Sequence, residues 1–538
     1  MTPDFDVIVV GSGPAGVSAA FPLVEAGLRI LMVDGGEQPN SLPPSKDYLT
    51  SRTNDSDQWK WMVGENFHAI KNQGALSPKL RIPTHANIFK DYEIKNQITS
   101  SDFVAIGSMA VGGLSNAWGC GISRLSDEEL KEFPLLRSDI DPSYETVSKR
   151  IGISGRCDDD MVGFFGVDDW AQPPIPMDTL HQSLFDRYDK RKNACSKLGF
   201  RAGRSRVAIL SEDLGDRKPC DRLGNCMWGC QRESQYSAAN ELPALQLHGN
   251  FHHKPGFVVQ DIAPEGSDWS VTCQDDSSSS GFRRFTAKKV FLAAGTLAST
   301  RLALNVLKLT KPVRLLSCPM AAFMLWLPQM LGIDRSAAYG LGQLSYSMQI
   351  SENVSGFGAT CGTTGIPVSE FVGHLPFGRR YGIDLLSGLL SSCLVGNLFL
   401  PGDLSNTELT LMPDGSLKII GAYAPEVETL MSVAAKKLKR AYWQLGAILL
   451  PMSFTVGSPG GDIHYAGTLP MRKNPDMGET TVFGEVFGFN GLHVVDGASL
   501  SGLSGKSHTL TIMANADRIG RRIVESFKSE NLMSDVLH

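Results

Sequence analysis

The chain has 538 residues, 42% hydrophobic and 20% charged, with a net charge of -5. That length exceeds one small core, so about two to four structural units are expected. The slight acidic balance argues against nucleic-acid binding, because no basic excess is available to neutralise phosphates. The N-terminus enters its first strand within a few residues, with no charged n-region, long apolar segment or twin arginine, so no signal peptide is expected. The ten cysteines show no framework of a small secreted domain and read mostly as buried free thiols. A cytoplasmic location follows as the default expectation.

Residues Asp4 to Gly36 hold a strand, a glycine turn, a helix, a second strand and an acid in register. Val7 to Val10 is a β-branched run suited to a strand buried on both faces. Gly11, Gly13 and Gly16 give G-x-G-x-x-G, which allows a tight turn, close approach of a pyrophosphate, and close helix packing. Phosphates would sit on the free N–H groups of the helix N-terminus. Asp34 ends the second strand, where an acid binds a ribose hydroxyl. This pattern predicts dinucleotide binding but does not separate FAD from NAD.

Residues 37–100 read as a long excursion over this nucleotide unit. Residues 107–121 are glycine-dense and uncharged, with Met109, Val111, Leu114 and Trp118 among them. That combination predicts backbone lying close to a ligand. Ser126 to Phe133 predicts a capped helix, with Glu129 completing a capping box. Residues 140–205 read as helical at each end. Asp158 to Asp160 and Asp168 to Asp169 read as solvated loop acids.

Strand character returns over 255–295, with a hairpin tip between Cys273 and Phe282, and a helix from Thr296. Residues 314–333 and 384–400 are the most apolar stretches. Neither holds the roughly 20 uninterrupted apolar residues of a membrane span. They read as buried core, with a membrane-docking or lid surface as the alternative. Residues 407–420 predict a hairpin, Pro425 to Leu445 an amphipathic helix, 490–497 a buried strand and Thr509 to Phe527 a long helix.

Four motifs, in this order, resemble the glucose–methanol–choline (GMC) flavin oxidoreductases over essentially the whole chain. They are Gly11 to Gly16; Gly112-Gly113-Leu114-Ser115-Asn116-Ala117-Trp118-Gly119; Val290 to Ser299; and the C-terminal set of His464 to Thr468 with Met471, Val494 to Gly497, and Ser507 to Met513. The resemblance is nearest to the sugar-active branch, the pyranose oxidases and aminoglycoside-sugar oxidases. It implies an α/β fold: an FAD-binding Rossmann-like domain (1–312 and 456–538, with excursions at 37–100 and 140–230) and an inserted antiparallel sheet-plus-helix substrate domain (313–455).

The resemblance also implies FAD. Gly11, Gly13 and Gly16 would bind pyrophosphate and Asp34 the adenosine ribose, with Val258 or Val259 holding the adenine through backbone. Gly113, Ser115, Asn116, Trp118, Ala294, Gly295, Asp496, Gly497, Thr509 and Leu510 would surround the rest of the cofactor. Some members attach FAD to a histidine in the glycine-rich stretch; here that stretch has none, so non-covalent FAD is expected.

The implied chemistry is oxidation of a CH–OH group to a carbonyl by hydride transfer to flavin N5. His464 is the expected base, since an imidazole pKa of about 6.5 suits proton transfer at neutral pH. His508 is its expected partner, with Ser507 open as an alternative by a one-position shift. The substrate would be a sugar or sugar-like alcohol, with oxygen or another electron acceptor. Alternatives are a sterol-like or lipid-linked alcohol, with peripheral membrane contact through 314–333, or a non-redox flavin lyase or isomerase. Cys220, Cys226 and Cys230 form C-x5-C-x3-C without a fourth ligand, so no metal is expected and a structural loop is.

Overall fold

The computed structural model describes residues 3–39, 45–46, 56–64, 67–71, 78–275, 281–363, 378, 380–382, 385 and 389–536. β1 (Phe5–Val10), α1 (Pro14–Glu25) and β2 (Ile30–Asp34) form the expected strand–helix–strand unit. β1 pairs in parallel with β2 on one side and with strand Phe282–Leu292 on the other. Strand Phe251–Pro255 extends the sheet in parallel beyond β2. The free edge of Phe282–Leu292 is shared. Its start pairs antiparallel with Asp268–Asp275, and its end pairs in parallel with Leu492–Val494. Val7 to Val10 are buried on both faces, which is why they read as an unbroken apolar run. The helix Thr509–Val536 packs on α1 so closely that a Cβ at Gly520 would lie 2.6 Å from the Ala19 carbonyl oxygen.

A second, antiparallel sheet takes the order Ile448–Leu449, Met320–Trp326, Cys393–Phe399, Ser355–Gly362, Leu344–Gln349, Phe200–Arg204. The helix Val427–Gln444 covers it, burying Met431, Leu438 and Tyr442 in one cluster with Phe323, Tyr346 and Leu398. A third sheet runs Tyr465–Ala466, Val313–Ser317, Thr407–Leu411, Leu417–Ile420, Ile98–Ser101.

The α/β architecture with a separate antiparallel sheet and helix is thus present. The capping box at Ser126 closes with both bonds made, Glu129 N–H to Ser126 Oγ at 3.2 Å and Ser126 N–H to the Glu129 carboxylate at 2.7 Å. Its helix is short, Asp127–Leu130. The apolar stretch 314–333 is mostly buried core. It crosses from the third sheet to the second, and Leu315, Leu316, Ala321, Phe323, Leu325, Leu327 and Met330 are buried. Of its large apolar residues only Leu331 and Ile333, at its end, stand exposed. Among the described residues no helix is long and apolar enough to cross a membrane. Part of 384–400, and residues 276–280 of the expected hairpin tip, lie outside the described residues.

In the acidic loops Asp158, Asp160 and Asp169 are exposed as expected, but Asp159 and Asp168 turn inward. Arg206 is fully buried between Asp159 and Asp168. Its Nη1 donates to Asp159 Oδ2 at 2.9 Å, and its Nε and Nη2 form a two-point pair with Asp168 at 2.9 and 2.7 Å. Two loops therefore close around one guanidinium, a contact that no local pattern announces.

Candidate active site

A cavity of about 550 Å³ opens at the carboxyl ends of the parallel strands and reaches the face of the second sheet. That is where ligands bind in open α/β sheets. Gly11 has φ +108°, and a Cβ there would lie 2.3 Å from the Ala293 carbonyl oxygen, so the turn requires glycine. Gly13 caps α1 without any side-chain bond, which leaves the first helical N–H groups free. Gly16 does not line the cavity; it packs on the Gly11 carbonyl and sets how closely α1 approaches β1. Asp34 lines the cavity. It accepts from Gly36 N–H at 2.9 Å and pairs with His253 Nε2 at 2.9 Å. Each oxygen keeps a further lone pair for a ribose hydroxyl. Val258 and Val259 both line the same end.

The glycine-dense stretch folds back over this turn, with Gly113 Cα near Gly13. Gly113, Ser115 and Trp118 line the cavity. Asn116 does not, among the described lining. Its amide donates to the Val111 and Gly113 carbonyls and accepts from Ser237 Oγ at 2.7 Å, so it staples the loop. Ser115 Oγ likewise accepts from Ala238 N–H at 2.9 Å, and Trp118 Nε1 donates to the Tyr236 carbonyl at 2.8 Å. These bonds hold the backbone of the stretch against the cavity.

Ala294, Gly295, Asp496, Gly497 and Thr509 line the opposite wall. The Asp496 carboxylate accepts from Ser299 Oγ at 2.6 Å, Gly295 N–H at 2.9 Å and Ala498 N–H at 3.0 Å. Burial pushes its pKa up to about 6. It ties the turn after Leu292 to the turn after Val494. Leu510 is fully buried in the core beside the long helix start rather than on the wall. Thr509, the first residue of that helix, lines the cavity.

His464 and His508 meet here, with ring centroids 5.0 Å apart and planes at 75°. In both rings Nδ1 is buried without a hydrogen-bond partner. Burial first, then the neighbouring His508 and Lys79, hold His464 well below the usual imidazole range. Burial alone pushes His508 down to about 4. Both are therefore neutral at pH 7, which is the state a proton acceptor needs. Phe399 packs against His464 at 4.9 Å. Ser507 also lines the cavity, but it stands against Gly121 and its carbonyl accepts from Ser123 Oγ. His493 lies inside its strand with Nδ1 on the Phe483 carbonyl, away from the pair.

Three residues at this end carried no motif. Asp462 is buried, accepts from Ser317 Oγ, Cys318 N–H and His464 N–H, and is pushed up to about 7 by burial. The Cys318 thiol, the Asp462 carboxyl and a His464 ring nitrogen lie within 4.8 Å of one another. Lys79 lines the cavity, with burial pushing it down to about 8. Cys220, Cys226 and Cys230 are free thiols; burial pushes Cys220 up to about 11 and Cys226 further.

The geometry fits a dinucleotide, from the uncapped helix at Gly13 to the cavity running past Asp34. A family model described as pyridine nucleotide-disulphide oxidoreductase matches residues 5–102. Paromamine 6'-oxidase of Streptomyces fradiae is 24% identical over 315 residues, 56% of this chain and 49% of that protein. The chain thus spans about half the length of that curated relative. The crystal structure of pyridoxine 4-oxidase from Mesorbium loti superposes with a TM-score of 0.57 over 96% of this chain and 99% of that one, at 14% identity. At that identity the likeness concerns the fold. The family model thus covers the nucleotide-binding unit, and the solved oxidase shares the overall fold.

Proposed function

We propose that the chain is an FAD-dependent oxidoreductase that converts a CH–OH group of a sugar or sugar-like alcohol to a carbonyl. The observation that carries this reading is the His464–His508 pair, two neutral imidazoles 5.0 Å apart on the wall of the nucleotide cavity. FAD, when bound, supplies the hydride acceptor. Gly11, Gly13 and the start of α1 would hold its pyrophosphate, and Asp34 its ribose. The glycine-rich stretch 107–121 offers no histidine for attachment, which supports non-covalent FAD.

His464 takes the hydroxyl proton as the C–H bond breaks. His508 donates to or orients the same oxygen, stabilising charge that develops on it. Paromamine 6'-oxidase supports the sugar class. A bulkier hydrophobic alcohol is the second reading, favoured by the apolar second-sheet wall of Met320, Val395 and Phe399.

The test is anaerobic bleaching of the flavin by sugars, amino sugars, polyols, sterols and long-chain alcohols. Bleaching by one class names the substrate family. Full colour retained with every class, FAD being bound, sinks the reading.

A further inference from the structure

Lys79 stands on the short turn Pro78–Arg81, and it lines the cavity that holds His464 and His508. It belongs to the reactive end, because its charge opposes protonation of His464. At neutral pH it is mostly an ammonium ion, since burial lowers it only to about 8. Lys79 is half-buried on the cavity wall, and a charge withdrawn from bulk solvent is normally paired. Lys79 has no carboxylate partner among the described residues.

Its titratable neighbours do not supply a counter-charge. Burial pushes the Cys120 thiol well up, so it stays protonated. His85 is pushed down to about 3 by burial and by Lys79 itself, so it is neutral. His464 is neutral as well. Asp462 is already held by three donors from Ser317, Cys318 and His464. Asp159 and Asp168 are turned onto Arg206. A cation thus lines the cavity near His464 with no counter-charge among the described residues.

We propose that Lys79 selects the substrate: the alcohol carries a compact anionic oxygen group, carboxylate or phosphate, which Lys79 binds while the hydroxyl faces His464. This rests on the function proposed above and applies to a sugar or to a more hydrophobic skeleton. The same charge opposes a protonated amino sugar.

The test uses the FAD-loaded wild type, Lys79→Met and Lys79→Arg. Anaerobic flavin reduction is followed with glucose, glucuronate, glucose 6-phosphate and glucosamine. Either the carboxylate or the phosphate sugar should show a KM at least about tenfold below glucose, as a charge-assisted bond implies. That ratio should fall near one in Lys79→Met and return in Lys79→Arg. Which anionic arm responds separates carboxylate from phosphate. A binding readout without turnover runs alongside: acetate and inorganic phosphate should perturb the bound flavin's absorbance saturably in the wild type and not in Lys79→Met. Equal preference for glucose or glucosamine over both acids overturns the proposal. So does a Lys79→Met variant that loses only flavin retention, or anions that leave the wild-type spectrum unmoved. If no alcohol reduces the flavin, the oxidoreductase reading fails, and the anion titration still decides on Lys79.

Discussion

Arg206→Met should lower stability by about 3–5 kcal/mol, the effect of removing one partner from a buried ion pair. The guanidinium is fully buried, and its donors reach Asp159, Asp168 and the carbonyls of Arg204 and Cys157 at 2.7 to 2.9 Å. Asp159 is 2% exposed and Asp168 14%, so solvent screens the stranded carboxylates little. Methionine fills much of the volume, which leaves lost pairing as the main term. At roughly 2.1 cal/mol/K per residue, the loss lowers the melting temperature by roughly 3–4 °C. The effect should reach the cavity, since the Arg206 carbonyl accepts from Ile122 N–H and Ala208 N–H donates to the Cys120 carbonyl. Urea unfolding followed by flavin release and far-UV circular dichroism measures both. Arg206→Met with Asp168→Asn should recover part of the loss, because the stranded charge is gone. A loss under about 1 kcal/mol in the single variant would refute the argument that the two loops close on this charge.

His464→Asn should slow flavin reduction by about 10²–10⁴-fold, the range for a lost general base, with flavin content retained; stopped-flow reduction measures it, and an unchanged rate removes His464 from the chemistry. Gly11→Ala should abolish flavin retention, because its Cβ meets the Ala293 oxygen at 2.3 Å, while Gly13→Ala, whose nearest neighbour is Gly113 Cα at 3.9 Å, should still fold; the ratio of flavin to protein absorbance and circular dichroism separate the two. Stability should rise between about pH 4 and 6.5. His508 and His493 titrate at about 4, His85 at about 3 and His464 lower than usual, so in this window the unfolded chain holds protons there that the folded chain lacks. Asp462 and Asp496, raised to about 7 and 6, act with the opposite sign, stabilising most at low pH and less as pH rises through those values. Four histidines outweigh two carboxyls; urea midpoints at pH 4.5, 5.5 and 6.5 that fall would overturn the balance.

The nucleotide unit was legible because its information is local. Strand, turn, helix and acid follow one another within 31 residues of Asp4 to Asp34, each with its own residue signature. Buried parallel strands such as Phe282–Leu292 and Leu492–Val494 end in runs buried on both faces, which also read directly. Strand Ile98–Ser101 did not read, since Ile98 is its only buried residue and its partner Leu417–Ile420 lies over 300 residues away. Phe200–Arg204 has no strand signature either; it is a strand because Leu344–Gln349 offers it an edge. Motifs also locate residues without assigning their atoms. Asn116 sits inside a cofactor-type motif, yet its amide is turned to its own loop. Arg206 and Lys79 belong to no motif, because their partners are gathered only by the fold.

The proposed base shows how much of its placement comes from outside its motif. Ile463, between Asp462 and His464, has φ +61°, a region that a β-branched residue seldom enters. Such a conformation costs about 1–3 kcal/mol and persists only where its surroundings over-determine it. Here they do. Asp462 accepts from Ser317 Oγ and Cys318 N–H, at the corner where the third sheet gives way to the second, and from the backbone N–H of His464 itself. One carboxyl thus fixes the strained turn to the joint between the sheets. The following strand, Tyr465–Ala466, continues the third sheet on Leu316 and Ser317. His464 is therefore held by the sheet junction on one side, and it meets His508, at the head of a helix packed on α1, on the other. The position of the base relative to the nucleotide turn is a property of all three sheets together, which is why a motif could name the histidine but not place it.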